Sequence, residues 1–461
     1  MHKPIKRQIF LLCEHDIGDE KMKERKLYNT VSLSIPIIFQ SFFQILFGIA
    51  DTWFVSFYSD EAVAAVGYAN QLIAVILLLF VVISSAISVL GAQYIGAEEE
   101  QKAEKISSDA VVLTLLVSIS ISFIIFITSR KIINVLQVPM EIREDMNAYL
   151  KTIVLGLIFQ SGNVVLTTVY RIFAEAKYAM RVGIWINLLN IAADAVIIFN
   201  PMGYTYNFVI GIALATVSSN AMGFVAMLVK SKRCLKLEYT RNMSGENVKL
   251  LIYYGIPSAG ENISYKISQL VVTTLLGQLG GFILSAKIYA MNVMLFVSLI
   301  PNSIGIATGI LVGYLWGNKK KKQAYDICYR NIFAGILVVV MMNVVIFIGK
   351  DWSLHIFTSN KEILNVAKTI MNMEAILMFI KTGNFMFGNS LKGVGDVYYN
   401  AILGVLSTWI FGVGLSYILG ITFQLGIQGI YYGFGIDELF RCVISWRRWR
   451  KTIGKESHFS A

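Results

Sequence analysis

Apolar runs of about twenty residues recur along nearly the whole chain, and no other feature limits its fold so strongly. A helix rising 1.5 Å per residue crosses a hydrocarbon core of ~30 Å in that length. Lipid offers no hydrogen bonds to an exposed backbone, so runs of this kind must be helical. Twelve can be placed, at 31–57, 62–91, 107–128, 147–170, 179–200, 207–229, 250–276, 282–315, 327–348, 363–390, 397–420 and 425–446. Composition agrees: 56% of the 461 residues are apolar and 15% are charged, against roughly 25% charged in a soluble domain. The expected fold is an all-α membrane protein.

A net charge of +11 raises the possibility of a nucleic-acid partner, and its distribution argues against one. With both termini placed in the cytoplasm, 30 Lys and Arg fall in inside segments and 6 in outside segments, with 4 more inside spans (Lys151, Lys266, Lys368, Lys381). That asymmetry is the positive-inside signal of a multi-pass protein of the plasma membrane. Residues 1–30 read as a cytoplasmic tail, since the apolar patch Ile9–Cys13 is too short for a signal-peptide core. Cys13, Cys234, Cys328 and Cys442 stand singly, so neither a zinc site nor a disulfide framework is expected. Without clustered His, a Walker-type loop or a nucleophile constellation, the chain does not read as an enzyme, and no cofactor is expected.

The chain repeats itself. Ser34-Ile35-Pro36 matches Gly255-Ile256-Pro257. Tyr94-Ile95-Gly96 matches Leu315-Trp316-Gly317, and Arg171 with Ala174-Glu175 matches Lys392 with Gly395-Asp396. One and the same offset carries Pro36 to Pro257, Gly96 to Gly317 and Glu175 to Asp396. Two pseudo-symmetric six-helix bundles follow: an N-lobe over 31–229 and a C-lobe over 250–446. A basic inter-lobe linker occupies 230–249, and a cytoplasmic tail 447–461. Both halves begin and end inside, so the pseudo-two-fold axis runs along the membrane normal, as in transporters that rock two halves about a central site.

Ionisable and amide side chains in such spans are costly and face protein or a water-filled cavity. The first span carries Gln40, Gln44, Gly48 and Asp51 at helical spacing on one face. The fourth carries Gln160, Asn163 and Thr167, and the fifth Asn187, Asn190 and Asp194, again on single faces. Asp51 and Asp194 lie at similar depths, so the pair is expected to share a proton or to hold a cation such as Na⁺ between them, with the amides of Asn190 and Asn163 suited to coordinate Na⁺ or to bond a protonated carboxyl. The same groups would also serve simply to join helices. At the repeat offset, Asp51, Asn190 and Asp194 map onto Val272, Phe411 and Leu415, which places the cation site in the first half alone. The second half offers Glu261 and Lys266 on the seventh span and Glu374, Lys381 and Asn384 on the tenth, a set suited to lining a substrate cavity or to gating. Lys381 is expected in a buried ion pair with Glu261 or Glu374, and Lys266 to snorkel or face the cavity. Met373, Met378, Phe379, Phe385, Met386 and Phe387 suit packing as well as contact with bulky cations. Pro36, near the start of the first span, reads as a first-turn proline.

The landmarks, in order, resemble the multidrug and toxic compound extrusion family. The resemblance runs from Ile35-Pro36 through Ala50-Asp51-Thr52 and Ala64-Ala65-Val66-Gly67 to Ala92-Gln93-Tyr94-Ile95-Gly96-Ala97. It continues through Asn190-Ile191-Ala192-Ala193-Asp194, Gly211-Ile212-Ala213-Leu214-Ala215-Thr216 and Leu391-Lys392-Gly393-Val394-Gly395-Asp396, and so covers about 30–450. It implies an antiporter that exports amphipathic, often cationic compounds in exchange for H⁺ or Na⁺ by alternating access. It also implies that Asp51, Asn190, Asp194 and Thr216 form the cation-coupling cluster, to which the residue reading adds Asn163, and that the first span bends near Pro36. A cation-binding aspartate that some members carry on the tenth span aligns with Lys381, which speaks against Na⁺ in this half. The competing expectation is a flippase for a lipid-linked oligosaccharide or cell-wall precursor, whose pyrophosphate would require more cationic groups in the cavity. The expected partners are small organic substrates and the bilayer, for a chain acting as a monomer.

Overall fold

The computed structural model describes residues 30–56, 59–199, 207–239 and 243–454. The polar N-terminal stretch and the Pro201 turn lie outside these residues. Thirteen α-helices follow one another: α1 (Thr30–Ser56), α2 (Asp60–Gly96), α3 (Glu100–Val135), α4 (Arg143–Leu155), α5 (Leu157–Ile172), α6 (Ala176–Phe199) and α7 (Phe208–Cys234) in the first half. The second half holds α8 (Gly245–Leu279), α9 (Gly281–Gly317), α10 (Lys321–His355), α11 (Lys361–Gly393), α12 (Val397–Ser407) and α13 (Gly426–Gly454). Of the basic stretch expected to link the halves, 230–234 continue α7 and 245–249 begin α8.

Among the described residues, nine helical segments are long and apolar enough to cross a membrane. α4 and α5, bent by 52° at Gly156, together make a tenth. A Cβ on Gly156 would stand 2.4 Å from a Val217 methyl, so its absence lets α7 pack into the bend. α8 and α13, at 35 and 29 residues, have the length to cross but are too polar to pass on apolarity. Twelve spans result among the described residues, and part of the polarity of the two polar ones lies in inward ion-paired side chains, Glu261 on α8 and Asp437, Glu438 and Arg441 on α13.

The repeat is written into the backbone as well as the sequence. Glu98 and Lys319 adopt left-handed φ values of 64° and 58°, and Ala174 and Gly395 values of 71° and 90°, each pair standing at the repeat offset. In all four turns the next residue's N–H reaches back to a carbonyl five residues earlier: Glu99 to Tyr94, Lys320 to Leu315, Glu175 to Tyr170 and Asp396 to Leu391. These are helix ends closed by a left-handed residue, which satisfies carbonyls that the helix itself leaves open.

The halves meet most closely where α2 and α9 end. A Cβ on Gly96 would sit 2.1 Å from the Tyr314 carbonyl oxygen, and one on Gly317 2.1 Å from that of Gln93. Two backbones cannot approach this closely with any side chain between them. Gln93 Nε2 also donates to the Gly393 carbonyl at 2.7 Å. At this end one apolar core runs through both halves, from Ile87 and Ala92 to Leu311, Leu315 and Leu391. Toward the opposite, Ser59 end the second half has cores of its own, around Met294, Leu354 and Ile370 and around Val272, Leu276 and Ile430. The bundle is therefore sealed at the Gly96 end.

Two local features depart from the sequence reading. Pro36 is the seventh described residue of α1, inside the helix and not in its first turn, so it removes an interior backbone donor. The eleventh span winds as an α-helix only to Ser407 and is π-helical over Thr408–Leu415 and Ile418–Thr422. Wider turns of this kind often mark functional segments.

Candidate functional site

Two polar regions lie inside the bundle, one in each half. In the first half, α1 and α6 bring the carboxyls of Asp51 and Asp194 within hydrogen-bonding reach of each other. Asp194 is fully buried, and neither of its oxygens, nor Oδ1 of Asp51, receives a hydrogen from any donor among the described residues. Two carboxylates so placed and so poorly supplied with donors can share one proton or enclose one monovalent cation. Around them, Asn190 Nδ2 donates to Thr216 Oγ at 3.3 Å, and the buried Tyr149 hydroxyl lies within reach of Thr216 and donates to Asn70 at 3.2 Å. Asn163 joins one turn further along, donating to the Asn220 carbonyl at 3.0 Å, while Asn220 donates to the Thr216 carbonyl at 2.9 Å. The expected set Asp51, Asn190, Asp194, Thr216 and Asn163 is thus one connected region. Tyr149 and Asn70 belong to it and gave no periodic signal in the sequence.

The remaining first-half residues spread out along the helices. Gln40 accepts from Arg171 Nη2 at 2.9 Å, near the Gly96 end. Asn187 donates to its own helix at Gly183. Gln160 is half-buried, and Gln44 is exposed in a shallow groove with Gly48 and Trp53.

In the second half a cavity of about 680 Å³ opens between α8, α9, α11, α12 and α13, with Ser85, Ser88 and Val89 of α2 as its wall toward the first half. Three bases, each paired with carboxylates, line or back it. Lys381 pairs with Glu374 at 2.7 Å, which settles the alternative left open by the sequence. Glu261 pairs instead with Lys392 at 2.8 Å and accepts from Asn400 at 3.0 Å. Arg441 holds both Asp437 and Glu438, at 2.8 and 2.9 Å, and Glu438 also accepts from Asn384. Behind them the buried Lys287 donates to Thr273 at 2.9 Å. Lys266 is exposed beside Ile267 and Leu270 and does not line the cavity. Of the Met and Phe residues on α11, Met378 and Phe385 line it; Met386 and Phe387 are core, and Phe379 is exposed.

The sequence reading missed the α13 triad. Arg441 falls among the tail residues in the charge count and Lys287 among the outside ones, yet both are held inside the bundle. One residue leaves each side of the count, so its sign stands. Asp437, Glu438 and Arg441 at spacings of one, three and four inside an apolar run were the available signal.

The repeat offset also aligns the two regions. Gln40 corresponds to Glu261 and Arg171 to Lys392, and both pairs are in contact. Gln160 corresponds to Lys381, Asn163 to Asn384, Thr216 to Asp437 and Asn220 to Arg441.

The MatE family model matches the chain twice, over residues 36–196 and 257–418, so its two copies start at Pro36 and Pro257. An uncharacterized transporter of Bacillus subtilis strain 168, YisQ, is 29% identical over 433 residues, covering 93% of this chain and 95% of that protein. A probable multidrug resistance protein NorM of Thermotoga maritima is 25% identical over 421 residues, covering 90% of each chain. A solved structure described as the outward-facing conformation of a multidrug resistance MATE family transporter of the MOP superfamily superposes with a TM-score of 0.84. It covers 92% of this chain and 95% of that one at 21% identity. With a doubled family match across both halves and a two-lobe bundle of the same fold, the chain belongs to the MatE family of multi-pass membrane transporters.

Proposed function

We propose that this transporter exports amphipathic, often cationic organic compounds in exchange for H⁺ or Na⁺ by alternating access. The observation that carries the proposal is the close, donor-starved pair Asp51 and Asp194. A site that can hold one proton or one monovalent cation, and is left unsatisfied without it, is what ion coupling requires. Asn190 and Thr216 supply further oxygens, and Asn163 connects the pair to the amides nearer the Gly96 end. The coupling ion enters from the Ser59 side, and the Gly96 end, with both termini, faces the cytoplasm in the plasma membrane. The sealed Gly96 end then corresponds to a state open to the outside, and α1 bends at Pro36 as the ion binds. The C-lobe cavity takes the substrate. Its lining bases Lys381, Lys392 and Arg441 are each paired with a carboxylate, leaving none for a pyrophosphate, which favours drug export over flipping of a lipid-linked precursor.

The test is efflux of a fluorescent organic cation from proteoliposomes under imposed pH and Na⁺ gradients applied separately. The native chain moves the dye under one of the two gradients. Asp51→Asn stops that movement while the protein remains folded and inserted; undiminished efflux by this variant would sink the assignment.

A further inference from the structure

Within that export reading, on which this inference rests, we infer that the C-lobe cavity selects organic cations bearing N–H donors, such as guanidines, amidines and amines, over quaternary ones. Five asparagines line the cavity against two aromatic rings, Tyr265 and Phe385. Four of the five have their orientation fixed by chemistry. Asn262 Nδ2 donates to the Ser258 carbonyl at 2.8 Å, and Asn389 Nδ2 to that of Phe385 at 2.8 Å. Asn384 Nδ2 donates to the Glu438 carbonyl at 2.9 Å, and Asn400 Nδ2 to Glu261 Oε2 at 3.0 Å. Each partner is an oxygen that can only accept, so in every case the nitrogen must face the protein. Their four Oδ1 atoms accept no hydrogen bond from the described residues, and Glu261 Oε1 accepts none either.

The charges sharpen this bias. Lys381, Lys392 and Arg441 are each held by a carboxylate of the protein at 2.7 to 2.9 Å. Charge in the lining is thus matched internally; Arg441 Nε and the serine hydroxyls leave some donors there, but the uncommitted asparagine and Glu261 oxygens are acceptors that only an N–H or O–H can satisfy. A quaternary ammonium or phosphonium has no hydrogen to give them. On entry it would strip their water and return nothing, which is the costly half of a hydrogen-bond exchange. A guanidinium offers five donors in one plane and can meet several acceptors together.

The matched probes are hexylguanidinium and hexyltrimethylammonium, which share a tail and differ in donors. Binding to the purified full-length protein is measured by calorimetry, and transport in proteoliposomes in parallel. Hexylguanidinium is expected to bind at least about tenfold more tightly. The double variant Asn262→Leu, Asn389→Leu should erase most of that preference. Both amides hydrogen-bond only within their own helices, although Asn389 also packs against Gly305 and Gly309 of α9, a contact that the larger leucine must leave intact. A melting temperature near native checks this, and Asn262→Ser alone gives a milder second variant. Equal binding of the two probes, or a preference untouched by both variants, would overturn the inference. If the quaternary probe is bound and pumped as well as the guanidinium, the selectivity falls while export stands. If the guanidinium binds selectively and neither probe moves under any gradient, the site stands and the export reading falls.

Discussion

The two halves share a backbone plan but use charge in opposite ways. The first places two acids against each other, Asp51 and Asp194, with no base paired to either among the described residues. The second sets Glu261, Glu374, Asp437 and Glu438 against Lys381, Lys392 and Arg441, with Lys287 close behind. The shared offset shows how this difference arose on a common frame. Where the first half has Gln40, Gln160, Thr216 and Asn220, the second has Glu261, Lys381, Asp437 and Arg441. Repetition of the fold preserved which positions face an interior that tolerates polarity, and left the sign and strength of that polarity free. A like-charged pair stores an unmet demand for a cation, whereas matched pairs satisfy themselves. On the proposed reading, that contrast is why coupling is placed in the first half and substrate contact in the second.

The comparison can be broken most sharply by neutralising one acid in each half. Asp194→Asn should cut ion-coupled efflux at least about tenfold, with the melting temperature in detergent little changed, because an amide can still bond to Asp51. Glu374→Gln should do the reverse in kind: it strands the buried Lys381 ammonium and costs about 3 kcal/mol of stability, read as a lower melting temperature and poor membrane yield. If Glu374→Gln instead folds normally and loses coupling, the second half carries the ion too.

A smaller effect is expected at the matched contacts of the basic residues. Gln40→Glu gives Arg171 the carboxylate that Lys392 already has and should stabilise the protein by about 1 kcal/mol; Glu261→Gln should lose a similar amount. Thermal unfolding of both variants checks whether the two contacts are equivalent. Smallest of all, Ala174→Gly should gain up to roughly 1 kcal/mol by relieving a left-handed alanine, and Gly395→Ala should lose about as much. Unequal responses at these two turns would mean that the repeat is looser in energy than in geometry.

Much of the fold could be read in advance because the bilayer simplifies it. Span length, helical form and the doubled plan follow from hydrocarbon thickness, unmet backbone groups and a repeated offset, all of which are local or linear in the sequence. Asp51, Asn190 and Asp194 were legible because a carboxylate in an apolar run is conspicuous and helical spacing gives its face. Tyr149 and Asn70 were not, since a tyrosine or one amide among apolar residues carries no such signal. The α13 triad was hidden by position: at the end of the last span, basic residues read as tail.

What the sequence alone determined is therefore the membrane class, the number of spans, their pairing into two halves and the carriers of first-half charge. Tertiary structure decided who meets whom. It chose Glu374 over Glu261 as the partner of Lys381, gave Glu261 to Lys392, drew Arg441 and Lys287 into the interior and left Lys266 outside. It also sealed the bundle at Gly96 and Gly317. The physical reason is that helical periodicity fixes only which residues share a face of one helix. The rotation and approach of neighbouring helices are set by packing summed over the whole bundle, and a charge takes whichever partner that packing brings within about 3 Å.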